Sequence, residues 1–416
     1  MSASLRRPPA AGAMHQATVV VVLILMLGIQ PVTTDLYLPA LPTLARDLGA
    51  SAGTAQLTLS ALIVCFGVAQ LVWGPLSDRF GRRPVLLAGL ALYCVAALGA
   101  ALAPAAGWLV AWRALQGVGM AAAVTCGRSI IRDLYEPREG ARVMSRALGG
   151  LGLLAMASPL LGGLLVEHWH WRATLAAVAL FGVAALAFVA LRFVETLAQP
   201  DPRGTELHRI AANWRRILAH PTFIAWAALL CASWGGLFAM LASSSFVFIE
   251  VLGASRQACG AMLASSSIAY IVGTLLCRRL LRHGNASRAA AVGAAFSLAG
   301  GALLAGVSLA GAASIATVLP GLWLFGIGHG VSQPCGQAGV TSPFPDSAGT
   351  AASLSGFLMM ATAFGVGLFL AAVMNGTVFP LTLTMGAFGA AVAAVAWTLV
   401  RVHGERRVLA PAPHIA

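Results

Sequence analysis

Lysine is missing from this chain: all 26 of its basic residues are arginine. Charge of either sign is scarce, at 9% of residues against about 25% in soluble domains. So little charge cannot cover a water-facing surface, which excludes a soluble globular protein and points to an integral membrane protein. The seven cysteines (Cys65, Cys94, Cys126, Cys231, Cys259, Cys277, Cys335) include no CxxC pair, so neither a zinc site nor a disulfide framework is indicated. They read as small buried hydrophobes. The chain carries no GxxxxGK[ST] loop, no HExxH and no GxSxG with partners, so no ATPase or hydrolytic centre is expected. It is read as a non-enzyme without metal or cofactor.

Long apolar runs are what the sequence does have. A spanning helix needs about 20 mainly apolar residues. Twelve such runs are predicted, near 17–41, 53–76, 84–104, 107–130, 142–166, 172–194, 221–249, 257–281, 288–310, 313–340, 349–373 and 377–401. Arg6 and Arg7 precede the first run, which is too long for a signal-peptide core and lacks a small-x-small cleavage site, so it is read as a span.

The arginines orient these spans. With the N-terminus inside, the inner loops hold Arg79, Arg82 and Arg83, Arg128 to Arg146, Arg192 to Arg216, Arg278, Arg279, Arg282 and Arg288, and the tail residues Arg401, Arg406 and Arg407. The outer loops hold little beyond Arg46, Arg172 and Arg256. Positive residues stay cytoplasmic, so both termini are expected there, with the arginines anchoring membrane lipid headgroups rather than nucleic acid. A polar stretch over 195–220 divides six spans from six. This suggests an N-terminal bundle (1–194), a cytoplasmic linker with an amphipathic helix from Leu207 to Leu218, and a C-terminal bundle (221–416) with a short tail. Gly273 to Arg279 aligns with Gly74 to Phe80, Cys277 replacing Asp78, as a degenerate echo between the halves.

Few side chains can carry chemistry. Asp35 lies late in the first span, bracketed by Pro31, Pro39 and Pro42, which predict a broken helix. A carboxylate there is costly unless it faces a polar cavity or is neutral. It is either a proton or cationic-substrate site or a solvated carboxylate at a helix end. Arg113 and Gln116 share a face of the fourth span at a depth comparable to Asp35, so Arg113 is expected to pair with Asp35 or couple to it through water. The alternative is an arginine snorkelling to headgroups.

The loop GPLSDRFGRR (74–83) packs Asp78 among Arg79, Arg82 and Arg83. Gly74 is expected to allow close helix approach, and Gly81 to take the positive φ of a tight turn. The cluster could hold one conformation closed and break in another. In the fifth span, Gly149, Gly150, Gly152, Pro159, Gly162 and Gly163 form a small-residue ridge for close packing. Tyr37, Trp234, Phe238, His329, Gln333 and Met359 are candidates to line a cavity for flat or amphipathic ligands. Glu167 and Glu250, at outer span ends, are read as solvated.

These motifs resemble the major facilitator superfamily. GPLSDRFGRR resembles its signature between spans two and three, LVAWRALQGVGMAA its span-four signature, and SPLLGG the end of the antiporter signature, with Ser158 and Leu154 where glycines are usual. TDLYLPALP, RSIIRDLY and FPDSAGTAASLSGF are similar to the Bcr/CflA drug-resistance branch. The resemblance covers residues 17–400. It implies an all-α integral membrane protein of the major facilitator fold, with twelve helices in two pseudo-symmetric six-helix bundles. It also implies alternating access and proton-driven export of small drugs, chloramphenicol-like or bicyclomycin-like, across the bacterial inner membrane, with the proton gradient in place of a cofactor; a monomer is expected. By the same resemblance Asp35 and Arg113 line the N-terminal half of the cavity, Asp78 belongs to the cytoplasmic gate, and Asp133 joins that gate with Arg79 and Arg82. An exporter of an endogenous metabolite, such as an amino acid or a sugar, is the alternative on the same fold.

Overall fold

The structure, a computed structural model, describes residues 14–135, 137–197, 206–344 and 347–404. Arg6, Arg7, Arg406 and Arg407 lie outside them, as do residues 198–205 of the linker and Pro345 and Asp346 of the FPDSAGTAASLSGF segment. The elements are α1 (Gln16–Asp35), α2 (Leu41–Asp47), α3 (Ala52–Phe80), α4 (Arg82–Ala101), α5 (Ala106–Leu134), α6 (Pro137–His168), α7 (Trp171–Arg192), α8 (Leu207–Leu218), α9 (Pro221–Phe246), α10 (Arg256–His283), α11 (Ala286–Leu309), α12 (Ile315–Thr341), α13 (Ala348–Val373), α14 (Phe379–Val395) and α15 (Arg401–His403). Among the described residues, twelve stretches are long and apolar enough to cross a membrane, and each falls within a few residues of a predicted run. No strand occurs among the described residues.

The first span is broken where its prolines predict. A short 3-10 turn, Leu38–Ala40, separates α1 from α2, and the Tyr37 amide bonds the Thr34 carbonyl at 3.2 Å. That tighter pairing releases the Thr33 carbonyl from its helical partner.

Between the second and third spans the expected loop shrinks to one residue. The helix α3 runs on through Pro75 to Phe80, and only Gly81, at φ 98°, turns the chain. Gly74 is not a close-approach point: a methyl placed there would meet only Thr125 Cγ2, at 3.9 Å.

The spans form two bundles, α1–α7 and α9–α15, that meet along α3 with α13 and α6 with α10. Close contact there rests on small residues. A Cβ at Gly53 would meet the Ala371 carbonyl at 2.6 Å, and one at Gly163 the Arg256 carbonyl at 2.8 Å. Gly260 lies against the Pro159 carbonyl. Gly162 instead packs on Leu36 within the first bundle, while Gly149 and Gly152 face open space and add nothing to the ridge. The linker helix α8 docks on the second bundle, with Ile217 buried, Trp214 half-buried and Arg216 bonded to Ser347 Oγ at 2.8 Å.

The repeat is visible in the caps. Ser51 and Ser255 each cap a spanning helix by accepting from the amide three residues on. Counted from these caps, Asp78 stands opposite Arg282 and Arg82 opposite Ala286, the first residues of α4 and α11 coinciding. The expected alignment of Cys277 with Asp78 is therefore wrong by about one helical turn.

Candidate functional site

The buried centre of the first bundle is built around Arg113, which is fully buried on α5. Its Nη1 donates to Gln116 Oε1 at 2.8 Å and its Nη2 to the Thr33 carbonyl at 3.1 Å. The guanidinium lies over the Tyr37 ring, 4.4 Å from its centre, a cation–π contact. Tyr37 is itself fixed by a 2.7 Å bond between its hydroxyl and Thr58. Beneath them Thr33 Oγ1 and the Tyr93 hydroxyl are 2.6 Å apart. The break in the first span thus creates the acceptor that holds the arginine.

Asp35 sits two residues beyond that carbonyl and is half-buried. Its carboxylate accepts from the Thr34 hydroxyl at 2.7 Å. The expected pairing with Arg113 is not formed: no ion pair joins Asp35 to a cation among the described residues. The cause is geometric, because a backbone carbonyl, an amide oxygen and an aromatic face already occupy the guanidinium. Two donors nevertheless stay open, since Arg113 Nε and Gln116 Nε2 are buried without a partner. Such groups are costly unless a ligand or water satisfies them.

In the second bundle, His329 on α12 is buried with Nδ1 2.8 Å from Ser233 Oγ. Its ring lies between Trp234, at 5.7 Å, and Tyr270, at 5.6 Å. Trp234 Nε1 and Gln333 Oε1 are buried and unsatisfied, one donor and one acceptor. The other cavity candidates separate from this group. Phe238 packs beside Gly367, Tyr37 belongs to the Arg113 centre, and Met359 is buried with its sulfur 3.8 Å from Gln337 Nε2.

At the arginine-rich end, Arg82 is 1% exposed and organises a network. Its Nη1 meets Asp78 at 2.6 Å and Ser77 Oγ at 2.6 Å, and its Nε meets Asp133 at 2.8 Å. Glu195, past the end of α7, caps α4 by accepting from the amides of Arg82 and Arg83, each at 2.9 Å. The Thr196 and Leu197 amides also donate to it at 2.9 Å. Gly81 is needed twice over, for its φ and because a Cβ there would meet Glu195 Oε2 at 2.6 Å. Arg83 donates to the Ala190 carbonyl at 3.0 Å, and Arg79 lies over Phe80. Sequence reasoning missed Glu195 and Ser77.

Polar ties between the bundles gather at the opposite, arginine-poor end. Arg46 reaches Glu250 at 3.6 Å, Arg256 reaches Glu167 at 3.9 Å and Thr43 at 3.0 Å, and Gln56 Nε2 donates to the Ala242 carbonyl at 3.0 Å. Glu167 and Glu250 are therefore paired across the bundles, not merely solvated, because the two bundles close on each other there.

Two six-helix bundles, the first with a cation buried at its centre, with a charged network at one end and cross-bundle ties at the other, define a multi-pass membrane transporter. The chain belongs to the Major Facilitator Superfamily, which it matches over residues 23–370. It is 33% identical over 322 residues to the chloramphenicol resistance protein of Pseudomonas aeruginosa, covering 76% of this chain and 74% of that one. It is 28% identical over 344 residues to multidrug resistance protein D of Escherichia coli (83% and 86%), and 28% over 387 residues to a bicyclomycin resistance protein homolog of Haemophilus influenzae (90% and 95%). Among solved structures, the human organic anion transporter MFSD10 (TETRAN) shares the fold with a TM-score of 0.71 at 20% identity, over 94% of this chain and 100% of that one.

Proposed function

We propose that this protein exports small amphipathic drugs, chloramphenicol-like or bicyclomycin-like, from the bacterial cytoplasm in exchange for protons. The observation that carries the coupling is Asp35. It is the one acid placed away from the span ends among the described residues, and it has no cationic partner. A carboxylate with no fixed counter-charge can change protonation state at the least cost to the surrounding structure. The names of the relatives support drugs as the cargo.

Arg113 keeps its charge and its place, while Asp35 takes and releases the proton. The two are linked through the chain, since Arg113 holds the Thr33 carbonyl and Thr34 holds the Asp35 carboxylate. Protonation weakens the Thr34 bond at the very break that joins α1 to α2, and α2 carries Thr43 and Arg46 of the cross-bundle ties. The proton at Asp35 thereby acts on the seal at the arginine-poor end. By the positive-inside rule that end is periplasmic and both termini are cytoplasmic. Drug is held between the open donors of Arg113 and Gln116 and the Trp234–His329–Gln333 group. Each ligand must prefer one conformation for exchange to occur.

The test is growth of an efflux-deficient bacterium against a drug panel, with wild type beside Asp35→Asn. Resistance that disappears in the variant, with equal protein in the membrane, supports the proposal. Resistance that persists in the variant removes Asp35 from the coupling. Wild type without resistance to any drug, at confirmed expression, moves the cargo to an endogenous metabolite.

A further inference from the structure

The arginine-rich corner where α11 meets α14 holds a groove of about 810 Å3, within the range of about 300–1,000 Å3 usual for small-ligand sites. Asn285, Ser287, Arg288, Trp397 and Arg401 line it. The chain widens into a π turn over Ala396–Val400 just there, a distortion often found at functional sites. The turn is held open by local bonds. Ser287 Oγ donates to the Val400 carbonyl at 3.4 Å, and Trp397 Nε1 donates to the Ala291 carbonyl at 3.2 Å. Trp226 Nε1 fixes the Gly404 carbonyl at 2.9 Å, which anchors the turn that carries Arg401.

The first bundle shows what such a corner binds. There the first two amides of α4 grip the two oxygens of the Glu195 carboxylate. The corresponding amides of α11 are those of Ala286 and Ser287, and the cap residue Asn285 satisfies only the third, that of Arg288. No described carboxylate reaches this corner. Arg288 instead adds a cation to the positive end of the helix, and Arg401 brings a second. A helix terminus and two guanidiniums, with no anion among the described residues, make a site of positive potential at interfacial depth.

We infer that this groove binds the phosphate of an anionic phospholipid, held by Arg288, Arg401 and the first amides of α11, with Trp397 along the acyl boundary. Tryptophan at the headgroup level and basic pockets between spanning helices fit that occupant. Free phosphate shares the chemistry but leaves the ring face of Trp397, 43% exposed, uncovered.

The experiment is native mass spectrometry and thermal unfolding of the full chain in neutral detergent, titrated separately with phosphatidylglycerol, phosphatidylcholine and inorganic phosphate. Phosphatidylglycerol is expected to bind and stabilise, with affinity falling about fivefold for each of Arg288→Ala and Arg401→Ala. The double Arg→Lys variant, which keeps the charge, should retain most of the affinity and controls for folding. Equal phosphatidylglycerol binding by wild type and the double alanine variant overturns the proposal. So does stabilisation by inorganic phosphate alone to the same extent. Binding that appears only in Glu405→Gln also overturns it, because the chain's own tail acid would then be the occupant.

Discussion

The two bundles repeat one architecture but treat charge in opposite ways. The first places Asp78, Asp133 and Glu195 around Arg82 and Arg83 and buries Arg113 and Asp35 in its spans. The second has Arg282 where the first has Asp78, and at its centre a histidine held by a serine and two aromatic rings. The first half balances its arginines with acids of its own, whereas the second leaves Arg282 and Arg288 exposed. The same backbone thus supports an electrostatic half and an apolar half.

Removing Asp35 should affect function most. Asp35→Asn is expected to lower proton-driven drug efflux by more than about tenfold while unfolding at the wild-type temperature. His329→Gln, the matching change in the second bundle, should shift the drug spectrum and leave coupling intact; a drug-induced proton-release assay on both variants separates the roles.

Next comes Arg82. Removing one partner from a buried ion network strands the others and costs about 3–5 kcal/mol. Arg82→Ala should therefore lower the unfolding temperature sharply, and Arg282→Ala, at the exposed position opposite Asp78, should not.

A smaller contrast tests the turns. Gly81→Ala should cost about 1–3 kcal/mol, because φ is positive and Glu195 fills the space. Gly284→Ala should cost less, about 0.5–1 kcal/mol, since Gly284 is extended at φ −152° and a Cβ there would meet only the Leu280 carbonyl, at 3.3 Å. Gly74→Ala should be equally mild, and strong destabilisation there would revive the close-approach reading.

Smallest in energy are the cross-bundle ties. Arg46 and Glu250 are half exposed, so their pair is worth about 0–1 kcal/mol. Arg46→Glu should shift the open and closed populations by up to about fivefold, measured by fluorescence between dyes on the two bundles. The swap with Glu250→Arg should restore them.

The spans were legible because each is a long apolar run, and the break after Asp35 because prolines flank it. Asp78 and Arg82 were legible from their spacing in the 74–83 segment, and Asp133 through the resemblance. Glu195 was not, for it lies in a polar linker and meets Arg82 only after the four spans between them fold back. The partner of Arg113 was hidden for another reason: it is a backbone carbonyl freed by a local change of helix pitch, and no side chain announces it. The echo between the halves slipped by a turn because one glycine was matched to another, whereas the serine caps carry the true register.

Glu195 has one more consequence, a mechanical one. It bolts the start of the linker to α4, while α8 is bolted to the other bundle through Arg216 and Ile217. Between Leu197 and Leu207 run about ten residues, which fully stretched reach roughly 35 Å. Fixed at both ends, the connection lets the two bundles part at the arginine-rich end by no more than the reach of those residues.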